Sequence, residues 1–412
     1  MTLDEFRLAY QNADIIREIA SELEEDCPKI SLKGLAGSSK AVACDAITQL
    51  TKGYHLFILR DKEEAAFFLN DIQNLKKNAH NIFFFPHSYK KPYQFEEIDN
   101  ANVVSRAEVL ERVNRGNNSI IVTYPEALFE KVITKRQFAK NILEIKQGAE
   151  YSIDFINEML IEYEFEKVDF VYAPGQFAVR GGIVDVFSFS NDEPYRIEFF
   201  GDDVDSIRAF NPVNQLSTKT LSRFTVVPNI QQIHSQEERA TLLEFLPSRT
   251  KVWMRNYDGI VGVLNIEYEK ALEIYNDLPE SPVQHSPPID LFFEKSQFKK
   301  QIEDFAVVEF GESDHFQSDP YQFDITLQPS FNKQFDLLID DFKKNEKAGY
   351  SNMIVSNQPK QIERIYSIFE DLESSVTFTT LSIALHEGFV DRDQRFICYT
   401  DHQLFERYHR FR

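Results

Sequence analysis

Along the first 135 residues, short continuous apolar runs alternate with longer stretches of helical spacing. The runs are HLFIL at 55–59, IFFF at 82–85 and SIIV at 119–122. Apolar runs this short, set between helical patterns, read as strands buried on both faces, as in a parallel sheet covered by helices. The spacing predicts helices over 4–24, 38–51, 63–77 and 106–114, and strands over 30–34, 54–59, 82–85 and 119–123. The short connections are those that strand–helix units need.

From residue 136 the rhythm changes. The run ILEIKQGAEYS at 142–152 is strand-like, and 153–163 has the spacing of an amphipathic helix. Three alternating or apolar runs follow, at 176–179, 183–189 and 195–200, separated by Pro174-Gly175, Gly181-Gly182 and Asn191-Asp192. Such turn pairs between alternating runs predict a small antiparallel meander. By alternation Phe177 and Val179 face one side of it, and Ala178 and Arg180 the other. Near 226 the earlier pattern returns, with a helix over 236–245, a strand over 251–253, a helix over 267–275 and a strand over 306–310. A polar, turn-rich stretch at 311–320 reads as a boundary. Beyond it, helices over 331–346 and 360–372 and strands over 353–356 and 395–399 form another small α/β unit, ending in the basic run HQLFERYHRFR.

A chain of 412 residues should hold about three domains at roughly 100–200 residues each. Its 42% hydrophobic content suffices for packed cores. The 45 basic residues are outnumbered by 66 acidic ones, a net charge of −21. That balance opposes strong phosphate binding, which needs clustered cations, so the chain is not expected to act alone on nucleic acid. Three scattered cysteines suit neither a disulfide framework nor a zinc site and fit a reducing cytosol. The polar start has no apolar signal core, and no run approaches the length of a membrane span. A soluble, cytoplasmic protein with no membrane partner is expected.

Candidate chemistry is sparse. The segment GLAGSSKA, Gly34 to Ala41, follows a strand and opens a helix, the setting of a phosphate loop of pattern G-x-x-x-x-G-K-[ST]. Gly34 and Lys40 match, with Gly37 between them. Ser39 replaces the second glycine and obstructs backbone approach to phosphate, and Ala41 lacks the hydroxyl that would hold Mg²⁺. A non-catalytic relic is expected, with weak nucleotide binding as the alternative. The histidines show no metal spacing. HEGFVDRD, with His386, Glu387, Asp391 and Asp393, is not HExxH because position 390 is Val, and His402 and His409 complete no ligand set. Arg180, directly before the Gly-Gly bend, could fork to a partner's carboxylate, and a solvated strand arginine is the plainer reading.

The runs FAVRGGIVDVF (177–187) and YRIEFFGDDVDSIRAF (195–210) resemble the UvrA-binding domain shared by the repair protein UvrB and the transcription-repair coupling factors. The likeness covers nearly the whole chain and is looser over 383–412. It implies a degenerate P-loop, RecA-like parallel-sheet domain in two parts, 1–135 and 226–312. An inserted α+β antiparallel-meander domain at 136–225 would interrupt it, and a small α/β domain at 323–412 would follow. It implies UvrA as a partner, bound through Arg180 together with Lys167, Glu198, Arg196 and Phe177. Lys167 stands where the UvrB family has an arginine, Glu166 where some coupling factors have one, and Glu198 at an acidic position of the family. UvrB keeps an intact phosphate loop, so Ser39 and Ala41 select the coupling factors. In place of UvrB's aromatic DNA-binding hairpin stands PHSYKKPYQFEEIDN at 86–100, whose tyrosines are expected to pack on a neighbour.

The resemblance further implies an N-terminal fragment of a longer ATP-dependent DNA translocase. ATP and Mg²⁺, RNA polymerase and DNA would engage C-terminal motor domains that this chain lacks, and those domains would themselves pack on it. The chain itself, with no cofactor, would recruit UvrA to stalled polymerase in transcription-coupled nucleotide excision repair. A UvrB-like, helicase-type damage-binding protein and a stand-alone DNA-binding module are the alternatives.

Overall fold

A computed structural model describes residues 2–76, 79–89, 91–93, 99–229, 238–278 and 285–406. Its largest element is a seven-stranded sheet in the order Tyr321–Gln322, Lys29–Lys33, Ala306–Phe310, Lys251–Met254, His55–Ile58, Ile120–Thr123, Ile82–Phe84. Every neighbouring pair is parallel. The central strands are buried along their whole length, as continuous apolar runs require when helices cover both faces. The sheet draws strands from both sides of the meander region. At its centre the Trp253 indole donates to His55 Nδ1 at 3.0 Å. Burial pushes the His55 pKa down to about 3, so the ring is neutral and free to accept.

Some helices differ from their expected bounds for local reasons. The expected helix 4–24 is two helices, Leu3–Gln11 and Asp14–Glu22, because the chain leaves helical geometry at Ala13. The helix expected from 106 begins at Asn100, since the Asp99 carboxylate accepts from the Ala101 and Asn102 amides. The helix expected over 267–275 runs from Tyr257 to Asp277, started by the Asn256 side chain. Of the helix expected over 236–245, residues 236 and 237 lie outside the described residues. Arg239–Ala240 is a strand and only Leu242–Phe245 is helical, started by a Thr241–Glu244 capping box.

An antiparallel ribbon, Leu143–Lys146 against Arg223–Val226, carries the chain into and out of the meander side by side. Between them lies a six-stranded sheet in the order Ser217–Leu221, Asp203–Phe210, Tyr195–Phe200, Ile183–Val186, Gln176–Arg180, Glu166–Lys167. Helix Ile153–Glu162 lays Ile156 and Leu160 against one face, where Phe177, Val184, Val186, Ile197 and Ile207 form the core. A smaller cluster of Val171, Ala178, Phe187 and Phe210 lies on the other face.

The C-terminal region forms a five-stranded sheet in the order Ile325–Leu327, Phe389–Asp391, Phe396–Thr400, Ser351–Val355, Thr379–Leu381. Ile354, Ile397 and Tyr399 face the helices Phe335–Lys347 and Pro359–Asp371. Met353, Val355, Phe389, Phe396 and Cys398 point the opposite way, into the core of the large α/β unit. The Tyr10 hydroxyl donates to Asp391 Oδ2 at 2.5 Å across that junction. Among the described residues, no helix is long and apolar enough to cross a membrane.

Candidate partner-binding face and phosphate loop

Strand register assembles the charged face of the meander. Ala178, Asp185, Arg196, Arg208 and Thr220 form one row across five strands. Arg180, Ile183, Glu198 and Ser206 form the next. Residues paired across strands share a face, so both rows lie opposite the helix-covered core. Asp185 is wholly buried beneath this surface. Arg196 grips it through Nε and Nη2 at 2.7 and 2.8 Å, and the Arg180 guanidinium donates to the same carboxylate. Hydrogen bonding to Asp185 raises the Arg196 pKa further above its usual range. Arg180 also donates to the Asp169 carbonyl at 3.2 Å and lies 5.0 Å from the Phe170 ring centre. Glu198 accepts from Arg208 and from Ser206 Oγ. Each arginine is thus aimed by a carboxylate on a neighbouring strand. Arg196 and Glu198, two residues apart on one strand, are paired to different partners.

Two residues that the resemblance assigned to the partner lie off this face. Phe177 has no exposed surface and belongs to the inner cluster, so its placement among partner-facing residues is corrected. Alternation turns it toward helix Ile153–Glu162, where it supports the sheet. Lys167 pairs with Phe177 on the parallel edge strand, which sets it on the helix side, and its amine donates to Asn157 Oδ1 at 3.2 Å. Phe200 was not singled out in the sequence, yet 83% of it is exposed. It ends the strand carrying Arg196 and Glu198, and the spacing 196, 198, 200 places all three on one face. Phe170 and Tyr172, half exposed or more, extend the apolar surface beside Arg180.

The phosphate-loop segment joins strand Lys29–Lys33 to helix Ser39–Leu50. Gly34 and Gly37 hold left-handed backbone, φ +81° and +55°. Ser39 is wholly buried, and its hydroxyl donates to the Ala36 carbonyl at 2.6 Å and accepts from the Ala36 amide at 3.1 Å. The loop is in contact with the C-terminal region. The Ser38 amide donates to the Glu387 carbonyl at 3.1 Å, and the Glu387 amide donates back to Ser38 Oγ at 2.9 Å. Asp71, buried behind the loop, accepts from Ser38 Oγ at 2.5 Å and from the His386 amide at 2.8 Å. Burial pushes the Asp71 carboxyl up to about 7. Lys40 lines the adjoining cleft of about 410 Å³ with Glu64, Arg255 and Glu387. Burial, with Arg255 second, pulls its amine pKa down.

Among the described residues, no group of three His, Cys, Asp or Glu side chains could hold a metal ion. His386 instead stacks on Phe67 at 3.4 Å, and His409 lies outside the described residues. Tyr89 and Tyr93 pack on Phe292, with ring centres 5.9 and 5.5 Å away, as expected of loop aromatics resting on a neighbour. Lys90 and residues 94–98 lie outside the described residues.

Residues 143–231 match the family model described as the UvrB interaction domain. The chain is 29% identical over 249 residues, 60% of its length, to the transcription-repair-coupling factor of Bacillus subtilis, of which it covers 21%. With that of Borreliella burgdorferi the identity is 25% over 311 residues, covering 73% of this chain and 26% of the relative. UvrABC system protein B of Francisella tularensis is 24% identical over 244 residues, covering 55% and 36% of the two chains. The chain thus spans about a fifth to a quarter of the coupling factors it matches. Residues 143–231 are therefore similar to the UvrB interaction domain, and they lie in a longer segment similar to the transcription-repair-coupling factors.

Proposed function

We propose that this chain is a cytoplasmic, UvrA-recruiting segment of a transcription-repair-coupling factor and acts in transcription-coupled nucleotide excision repair. The observation that carries the reading is the charged sheet face inside residues 143–231, where Arg180, Arg196 and Arg208 surround two carboxylates and Phe200 stands exposed at the rim. Arginines held in place by neighbouring carboxylates lose little freedom on binding, and an exposed aromatic beside them supplies apolar area. Arg180, Arg196 and Glu198 are the polar contacts in this reading, Phe200 the apolar one, and Lys167 a peripheral charge.

The chain itself is non-catalytic in this reading. Ala41 offers no hydroxyl for Mg²⁺, Ser39 turns its hydroxyl into the loop, and Asp71 places a carboxyl behind it. ATP-driven movement on DNA and contact with RNA polymerase belong to the rest of a longer protein. The test is interferometry of the 412-residue chain against immobilised UvrA. Saturable binding that Arg180→Ala weakens is expected, and no binding by the folded wild-type chain would overturn the proposal. Calorimetry with ATP and Mg²⁺ should give no binding heat, and micromolar affinity would refute the non-catalytic reading.

A further inference from the structure

We propose that the former phosphate loop is a protein-docking socket whose ligand is the turn at residues 386–388, and that this contact fixes the C-terminal α/β unit against the large sheet. The argument starts from where the loop's hydrogen-bonding groups go. A loop that cradles phosphate leaves backbone N–H groups facing outward at the head of the following helix. Here the Ser38 N–H is taken by the Glu387 carbonyl, and the Glu387 N–H returns to Ser38 Oγ. A main-chain carbonyl therefore stands where the loop would receive an anion.

Asp71 makes the exchange specific. Both its oxygens are used, one by the Ser38 hydroxyl and one by the His386 amide. With both oxygens already accepting, this buried carboxyl suits the two donors of a peptide turn and a serine, which would otherwise be left unsatisfied. His386 closes the contact by stacking on Phe67.

Both halves are shaped for close approach. A Cβ on Gly37 would lie 2.9 Å from the Gly388 carbonyl oxygen, so only glycine lets the backbones meet. Gly388 is itself enclosed, since a Cβ there would fall 1.9 Å from Gln328 Oε1 and 2.4 Å from the Cys398 carbonyl oxygen. Its amide donates to Gln403 Oε1 at 2.7 Å, and its carbonyl accepts from the Gln328 amide at 3.1 Å. The turn is thus tied to its own sheet as well as to the loop. At the other end of the loop, a Cβ on Gly34 would collide with the Phe323 carbonyl oxygen at 1.9 Å. The loop is closed against the C-terminal unit at two points.

The test is hydrogen exchange read by mass spectrometry on the full chain. Ser38→Ala removes one acceptor and one donor from the contact, so peptides spanning 383–390 should exchange about tenfold faster or more, while strand Phe396–Thr400 stays protected. Unchanged exchange at 383–390 would overturn the proposal. Should Ser38→Ala fail to fold, His386→Ala removes the stack without touching the loop, and the same two outcomes decide. Millimolar inorganic pyrophosphate with Mg²⁺, added to the wild type, should leave exchange at 383–390 unaltered. Acceleration would mean that the loop still takes phosphate and that the turn is a displaceable plug, which refutes the socket.

Discussion

Asp185 lies under two guanidinium groups, and its carboxylate decides where both point. Removing one member of a buried ion pair leaves the other uncompensated, at a cost of roughly 3–5 kcal/mol. Because the Arg180 side chain is 37% exposed, the loss here should fall toward the low end. Asp185→Asn is expected to lower the urea midpoint and to weaken UvrA binding together. A double-mutant cycle with Arg180→Ala should show a coupling in the range of about 0.5–3 kcal/mol. Zero coupling would mean that something else aims Arg180. Arg180→Ala alone should cost about 2–5 kcal/mol of binding, roughly 30-fold or more. Lys167→Ala should bind nearly as wild type, because its amine lies on the helix side.

Asp71 gives a pH prediction at the same scale. Its folded pKa is raised to about 7 by burial, so the folded chain holds a proton that the unfolded chain releases near the ordinary carboxylate value. The stability tied to that proton is fully present below the unfolded pKa and is lost as pH rises through about 7. Asp71→Asn should remove this slope. Urea midpoints of wild type and variant, compared at about pH 6 and about pH 8, should diverge against the wild type at the higher value. A constant difference between them would refute the assignment, and taking the difference removes Glu108, which burial also raises to about 7. Single residues differed in how readable they were. Alternation already set Phe177 opposite Arg180, and the alternation that places Arg196 and Glu198 outward places Phe200 outward too, so Phe200 could have been read from spacing. The resemblance alone had put Phe177 on the binding face. The pairing of Asp71 with His386 joins residues 315 positions apart, and no local pattern announces it.

Among elements, the hairpin from Tyr195 to Phe210 carries most of the candidate face. Its register shifts between Glu198 and Phe199, where Asp205 is the extra residue on the opposite strand. Alternation along Tyr195–Phe200 is unbroken, with Phe199 against the core and Phe200 projecting at the tip. An exposed side chain contributes little to folding, whereas an aromatic at an interface is a frequent anchor. Phe200→Ala should therefore leave the urea midpoint unchanged and weaken UvrA binding by about 2 kcal/mol or more. Unchanged affinity would place Phe200 outside the contact. Strands and turns in this region were legible because alternation and Gly-bearing turns are local signals. Helix starts were less so. Asp99 and Asn256 are capping residues whose effect depends on side-chain hydrogen bonds to the next turn, and both helices began earlier than their apolar spacing alone suggested.

At the scale of the whole molecule, the meander joins the rest through the ribbon of Leu143–Lys146 and Arg223–Val226, and through helix Asn100–Asn114. Val103 and Val104 of that helix enter the meander core, and Arg115 donates to Thr225 Oγ1 at 2.7 Å. That the large sheet takes strands from both sides of the meander was not legible in composition or periodicity, because pairing partners distant in sequence leave no local trace. The resemblance alone suggested it. The geometry has a testable consequence. The helix contact lies on the core side of the meander sheet, whereas Arg180, Arg196 and Phe200 lie on the other. Excising residues 143–226 should expose the apolar surface that Val103 and Val104 cover, and so lower thermal stability. The arginine face, held by Asp185 from within the same sheet, should stay intact. The excised piece, confirmed as folded by circular dichroism, is expected to bind UvrA within a few-fold of the full chain. A folded piece that has lost binding would show that UvrA also grips the large α/β unit, and the site would have to be redrawn across the ribbon.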